Sequence, residues 1–151
     1  MDLDDTDRAI LRTLLADGRL NAKQVGATVG LSQPAAWRRI RRLEDSGIIR
    51  GRRWVLDRAK LGFTVVVFLG VRLAAKGRLD LEGFERAVQA IPEVQVVQHV
   101  LGIYDYRLKV VARDLADFER ILRRRIMTLP GVGVVESNVL LSEEKAAGPP
   151  L

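Results

Sequence analysis

The feature that most narrows the fold is a unit that occurs twice in the carboxy-terminal half. Phe84, Glu85 and Arg86 open a helical stretch that ends at Ile91 and Pro92 and runs into Val94, Gln95, Val96 and Val97. Phe118, Glu119 and Arg120 open another that ends at Leu129 and Pro130 and runs into Val132, Gly133, Val134 and Val135. Each is a helix feeding a strand, with proline as the stop because it has no N–H for a continuing helix. Residues 64–73, before the first helix, and residues 106–112, before the second, read as strands from their Val, Leu, Phe and Tyr content. The order strand, helix, strand, strand, helix, strand is the split βαβ, ferredoxin-like arrangement.

In such a sheet the helices cover one face, and the other should be polar if it meets water. Along the first strand Val65, Val67, Leu69, Val71 and Leu73 point one way, while Val66 and Phe68 point the other. Both faces therefore read as buried. A second copy of the chain is the natural cover, and a two-fold dimer follows.

The amino-terminal third is helical. Ile10, Leu11, Leu14 and Leu15 recur at helical spacing behind the acidic first turn of Asp4, Asp5 and Asp7, and Asp17 with Gly18 stops the pattern. Asn21 is an N-cap, Gln24 completes a variant capping box, and Val25 with Val29 gives one apolar face before Gly30. Ser32 caps a third helix, Pro34 is tolerated in its first turn, and Gly47 ends it. Only Gly30 and Leu31 join the second helix to the third, a helix-turn-helix connection.

At about 100° per residue the third helix places Ala36, Ile40 and Leu43 on one face with Trp37 at its border. Pro34, Ala35, Arg38 and Arg42 lie opposite, flanked by Arg39 and Arg41. Like charges three and four residues apart repel on a helix, so this pattern asks for an outside counter-charge. Double-stranded DNA supplies one. Ser32, Gln33 and Ala35 at the helix start permit close approach to a groove, and Arg38, Arg39 and Arg42 can reach phosphates or the O6 and N7 of guanine. A solvated arginine face is the alternative. After Gly47 the chain carries Arg50, Arg52 and Arg53 on a stretch that reads as a wing or linking strand, with Arg52 a further DNA contact. Residues 38–53 hold seven arginines against Glu44 and Asp45, so five of the six net positive charges lie here. Trp54 either stacks on nucleic acid or packs in a half-buried strand.

The fold class expected is α+β. A helix-turn-helix, winged-helix-like domain with its linking strand occupies residues 1–60, a βαββαβ domain residues 61–142, and a flexible tail residues 143–151. Domains this small bury little surface and lean on self-association. The chain has 25 Lys plus Arg against 19 Asp plus Glu, which favours a polyanionic partner. With no cysteine and the single histidine His99, thiolate sites and zinc sites have no ligands, and no metal or other cofactor is called for. His99 reads as a partly buried strand residue rather than a catalyst, because no paired carboxylate or nucleophile accompanies it. The start DLDDTDR lacks the basic and apolar regions of a signal peptide, and no run of 18 apolar residues occurs, so a cytoplasmic location away from membranes is expected.

The order of elements, the stretch LSQPAAWRRIRRLEDSGIIRG, the VLDRAKLG connection and GIYDY before a strand together resemble the Lrp/AsnC (leucine-responsive, or feast/famine) family of prokaryotic transcription regulators, from about Leu3 to Leu141. The resemblance implies a DNA-binding domain, a domain that binds a small effector, usually an amino acid, and dimers assembled into octamers or related rings. It also places the effector at contacts between dimers, around Leu101, Gly102, Ile103, Tyr104 and Asp105, with Ser137 and Asn138 in a second segment. The chemistry suits that use, since a glycine turn can present N–H donors to a carboxylate and Asp105 can accept from an ammonium. A plain strand-joining turn is the alternative. Leu101 and Ile103 stand where the family carries a hydroxyl and a polar residue, which favours an apolar ligand or a regulator without effector. Siroheme decarboxylases share the architecture, but one histidine fits a tetrapyrrole site poorly, so the chain is not read as an enzyme.

Overall fold

The computed structural model describes residues 2–74, 78–146 and 148–151. The chain divides into two compact units, Met1–Val55 with Lys145–Leu151, and Leu56–Glu144. The tail expected to be flexible thus groups, in its last seven residues, with the amino-terminal unit, where the Leu15 methyls lie near the α-carbon of Gly148.

In the first unit three helices enclose a core of Ile10, Leu11, Val25, Ile40 and Leu43. Helix α1 is Asp5–Ala16, and its Asp4 N-cap and Asp7 bond each other's backbone N–H in a reciprocal box. Helix α2 is Ala22–Val29, closed at its start by the Asn21 and Gln24 box and at its end by Gly30 in the left-handed region, at φ 74°. Helix α3 is Gln33–Asp45, capped by Ser32. All three starts follow the same logic: a short side chain supplies the acceptor that the first-turn N–H groups lack. Gly26 lets α2 close onto the turn, since a β-carbon there would stand 2.6 Å from the Leu31 carbonyl oxygen and 3.3 Å from the Ala36 β-carbon.

The linking strand expected after Gly47 is not formed. Residues 51–57 carry no regular structure, and Trp54, Val55 and Leu56 are 94%, 95% and 70% exposed. A strand needs a neighbour for its N–H and C=O groups, and no described strand lies beside this stretch. Trp54 accordingly stands exposed, with no ring contact among the described residues.

The second unit has strands β1 (Val65–Leu73), β2 (Val94–His99), β3 (Tyr106–Ala112) and β4 (Val132–Val139) in the order β2-β3-β1-β4, with every neighbouring pair antiparallel. Helix α4 is Arg78–Gln89, and α5 is Leu115–Ile121. This is the ferredoxin-like order that the repeated unit predicts. Helix α5 continues as one π-helical turn, Leu122–Ile126, with the Met127 N–H on the Leu122 carbonyl at 2.9 Å. Val67, Leu69, Val71, Leu108 and Val110 pack beneath Phe84, Val88, Phe118, Ile121 and Ile126. The opposite sheet face is mixed rather than apolar throughout. Val66 and Val111 are buried and Phe68 is half-buried, but Gln98, Arg107, Glu136 and Asn138 around them are exposed.

Candidate nucleic-acid interface and effector turn

Helix α3 turns Ala36, Ile40 and Leu43 into the core and leaves Ser32, Gln33, Pro34, Trp37, Arg38, Arg41 and Arg42 exposed. Ala35 is half-buried, and its N–H is the one that the Ser32 hydroxyl caps, at 3.4 Å. The start of the helix is therefore low in relief, with small side chains and Arg38 one turn further on. Arg38 has no ion-pair partner among the described residues, and Arg52 is exposed on the irregular segment that follows.

The other arginines are not waiting for an outside counter-charge. Arg39 Nη1 donates to Asp4 Oδ2 at 2.7 Å and Asp7 Oδ1 at 2.8 Å, while Arg42 Nη2 donates to Asp7 Oδ2 at 2.6 Å. The side chain of Asp7 is 1% exposed, and that of Arg39 only 30%. Arg41 pairs with Glu44 at 3.3 Å, and its guanidinium lies 6.0 Å from the Trp37 ring centre. Bonding to Arg39 holds the Asp4 carboxyl below its ordinary range, and the same contacts raise Arg39. Arg39, expected at the DNA, thus lies turned inward toward α1 in this structure, and Arg42 is shared between α1 and solvent. In the sequence the two aspartates read only as a first-turn charge. A further signal is present there: Asp7 stands three and four residues before Ile10 and Leu11, on the buried stripe of α1, where a carboxylate needs a cation.

In the turn between β2 and β3, Leu101 is fully exposed and Ile103 is 73% exposed. Tyr104 folds back over β1, where Gly70 has no side chain to obstruct its ring. Its hydroxyl donates to the Glu136 carboxylate, whose other oxygen accepts from Asn138 Nδ2 at 3.1 Å. That bond raises the Tyr104 phenol above its ordinary range and lowers Glu136. Phe68, Gly70, Tyr104, Arg107 and Asn138 line an open groove of about 340 Å³ on the sheet face away from the helices. Arg72 Nε donates to the Ile103 carbonyl at 3.2 Å.

Two residues of the expected effector set are placed differently. Asp105 Oδ2 accepts the Leu73 backbone N–H at 2.9 Å, and the Asp105 N–H donates to Val71 at 2.9 Å, so this carboxylate extends the β1–β3 ladder. Ser137 pairs with Leu69 and Asn138 with Phe68. Adjacent residues of a strand face opposite ways, so only Asn138 joins Tyr104, and Ser137 belongs to the helix-covered side. Glu136 and Gly70, which the sequence does not single out, complete the cluster. Their signal is register, which no motif carries.

His99 is exposed rather than partly buried, stacked on the Tyr106 ring at a centroid distance of 4.8 Å. Tyr106 donates to Glu85 on α4 at 2.6 Å. Among the described residues no group of three His, Cys, Asp or Glu could hold a metal ion, and no helix is long and apolar enough to cross a membrane.

Residues 3–50 match a winged helix-turn-helix DNA-binding domain, and residues 66–150 match the Lrp/AsnC ligand binding domain. A proline dehydrogenase transcriptional activator of Rhizobium radiobacter is 37% identical, with 97% of this chain and 94% of that protein covered. The leucine-responsive regulatory protein of Escherichia coli K12 is 35% identical over 95% and 88% of the two chains. Among solved structures, a transcriptional regulator of Neisseria meningitidis in complex with L-methionine superposes with a TM-score of 0.92 at 29% identity, over 97% and 94% of the chains. An AsnC family transcriptional regulator from Agrobacterium tumefaciens gives 0.90 at 33% identity, over 99% and 97%. With a capped helix-turn-helix, a four-stranded antiparallel sheet under two helices, and relatives along almost its whole length, the chain belongs to the Lrp/AsnC family of DNA-binding transcriptional regulators.

Proposed function

We propose that α3 enters the major groove of duplex DNA by its amino-terminal end, with Ser32, Gln33 and Ala35 at the groove floor, Arg38 on guanine or phosphate, Arg42 along the rim and Arg52 on the flanking backbone. The observation that carries this reading is an exposed, unpaired Arg38 behind a low-relief helix start. A two-fold dimer, formed by the open sheet faces around Phe68, would set two such helices on half-sites about one helical turn or a multiple apart. Dimers then assemble into octamers or related rings in the cytoplasm. The test is DNA affinity against salt for Arg38→Ala. If Arg38 grips a phosphate, the substitution should flatten the log–log slope by about 0.9, and if it reads a guanine, preference at one base pair should relax. If neither changes, the interface is misassigned.

The second site is an amino-acid effector site at a contact between dimers, built on Leu101, Gly102, Ile103, Tyr104 and Asp105 with Asn138 nearby and Ser137 on the other side of β4. The exposed Leu101 and Ile103 favour an apolar ligand, since an unmatched polar group against them loses about 1 to 3 kcal/mol. The relative solved with L-methionine supports the ligand class. A regulator without effector is the second reading, favoured by the engagement of Asp105 with the Leu73 N–H. Thermal-shift titration with the twenty amino acids separates the two, because binding to the folded state raises the midpoint and an absent site does not. Asp105→Ala also loosens the turn, so the ligand-induced increment is compared rather than the absolute midpoint.

A further inference from the structure

We infer that Asp7 is a positioning residue of the recognition helix, one that anchors Arg39 and Arg42 to α1 and leaves Arg38, which no carboxylate holds, to meet DNA. The inference rests on the DNA-docking role of α3 proposed above. Among the described residues Asp7 is the buried polar or charged one, and both of its carboxylate oxygens are taken by guanidinium groups of α3. Oδ1 receives Arg39 at 2.8 Å, and Oδ2 receives Arg42 at 2.6 Å together with the Asp4 N–H at 3.3 Å. Asp4 adds a second carboxylate to Arg39 at 2.7 Å.

Two consequences follow from this geometry. Arg39 and Arg42 stand three residues apart on α3, so one carboxylate that bonds both fixes the rotation of α3 about its own axis as well as its distance from α1. The bearing of Arg38 on the groove is set by that rotation. A guanidinium closed onto a carboxylate also releases little counterion when DNA arrives, because its charge is already matched. Arg39, with two carboxylates, contributes nothing to the salt dependence, whereas an arginine free in solution would. Asp7 thereby competes internally with phosphate for these side chains and keeps non-specific attraction below what the arginine count suggests.

The experiment is binding of the full chain to a cognate and a scrambled duplex over a salt series, for wild type, Asp7→Asn, Arg39→Gln and Arg38→Ala, with thermal unfolding of each. Asparagine keeps the shape of Asp7 and an acceptor but not the charge. Asp7→Asn should steepen the slope on scrambled DNA by about 0.9, the share of the released Arg42, since Asp4 still holds Arg39, and narrow the ratio between cognate and scrambled affinities. A purely structural defect lowers the melting point without steepening the slope. Arg39→Gln should leave the slope within a few tenths of wild type. An unchanged slope in Asp7→Asn, or a slope flattened by about 0.9 in Arg39→Gln, overturns the inference. If Asp7→Asn does not fold, Arg39→Gln decides alone. Arg38→Ala tests the underlying reading separately: with no effect there, it is the interface that fails.

Discussion

The ring of Tyr104 lies against the α-carbon of Gly70, so closely that a β-carbon at position 70 would fall 2.6 Å from Tyr104 Cδ2 and 2.7 Å from Cγ. Real β-carbons essentially never come so close to another atom, so the missing side chain is what allows the turn after β2 to fold back over the sheet. From there Tyr104 reaches Glu136, and Glu136 reaches Asn138.

Gly70→Ala is therefore expected to push Tyr104 off Glu136. Overpacking of this kind costs about 1 to 3 kcal/mol. Chemical denaturation should show the loss, and the near-ultraviolet tyrosine signal should change with it. A variant with wild-type stability and spectrum would show that the ring moves aside freely.

Gly26→Ala should act in the same way on the DNA-binding unit. Its β-carbon would meet the Leu31 carbonyl oxygen at 2.6 Å, and backbone in a tight turn yields less easily than a side chain. Destabilisation of at least about 1 kcal/mol and weaker DNA binding are expected. Unchanged DNA affinity and melting would mean that the second and third helices are less closely joined.

Alkaline stability should depend on Tyr106. Burial, then the bond to Glu85, raises its phenol far above the ordinary value. A group whose folded-state pKa is raised stabilises fully below its unfolded pKa, about 10 here, and loses that contribution as pH climbs through the folded value. Stability should thus fall as pH rises above about 10, and Tyr106→Phe should lack that component. Denaturant midpoints between about pH 9 and pH 12 test it, with tyrosinate absorbance recorded in parallel. Full ionisation of both tyrosines near pH 10 in the folded protein would contradict the expectation.

The proposed dimer predicts that Phe68→Asp, at the centre of the open sheet face, gives a folded monomer at micromolar concentration. A fragment beginning near Leu61 should still dimerise. Sedimentation velocity checks both. A Phe68→Asp protein with wild-type mass in solution would move the subunit contact elsewhere.

Short-range chemistry was legible in the sequence. Asn21 with Gln24 and Ser32 with Ala35 bond across three residues, so spacing alone locates those helix starts. The twice-used helix-to-strand unit likewise determined in what order the elements come, whereas the first strand reads as apolar on both faces and the fold decided that Val67, Leu69 and Val71 lie under the helices. Tertiary structure decided the contacts that join distant segments. Arg39 and Asp7 are 32 residues apart, and Leu73 and Asp105 another 32, so no local pattern could assign those partners. Ser137 and Asn138 are equivalent as adjacent polar residues, yet the pairing of β4 with β1 sends them to opposite faces. Trp54 reads as a strand residue, but a strand exists only where another backbone accepts its hydrogen bonds, and within one copy of the chain none does so for the described residues. The physical division is one of range: helix caps are settled within a few residues, whereas register and charge pairing depend on which segments the fold brings side by side.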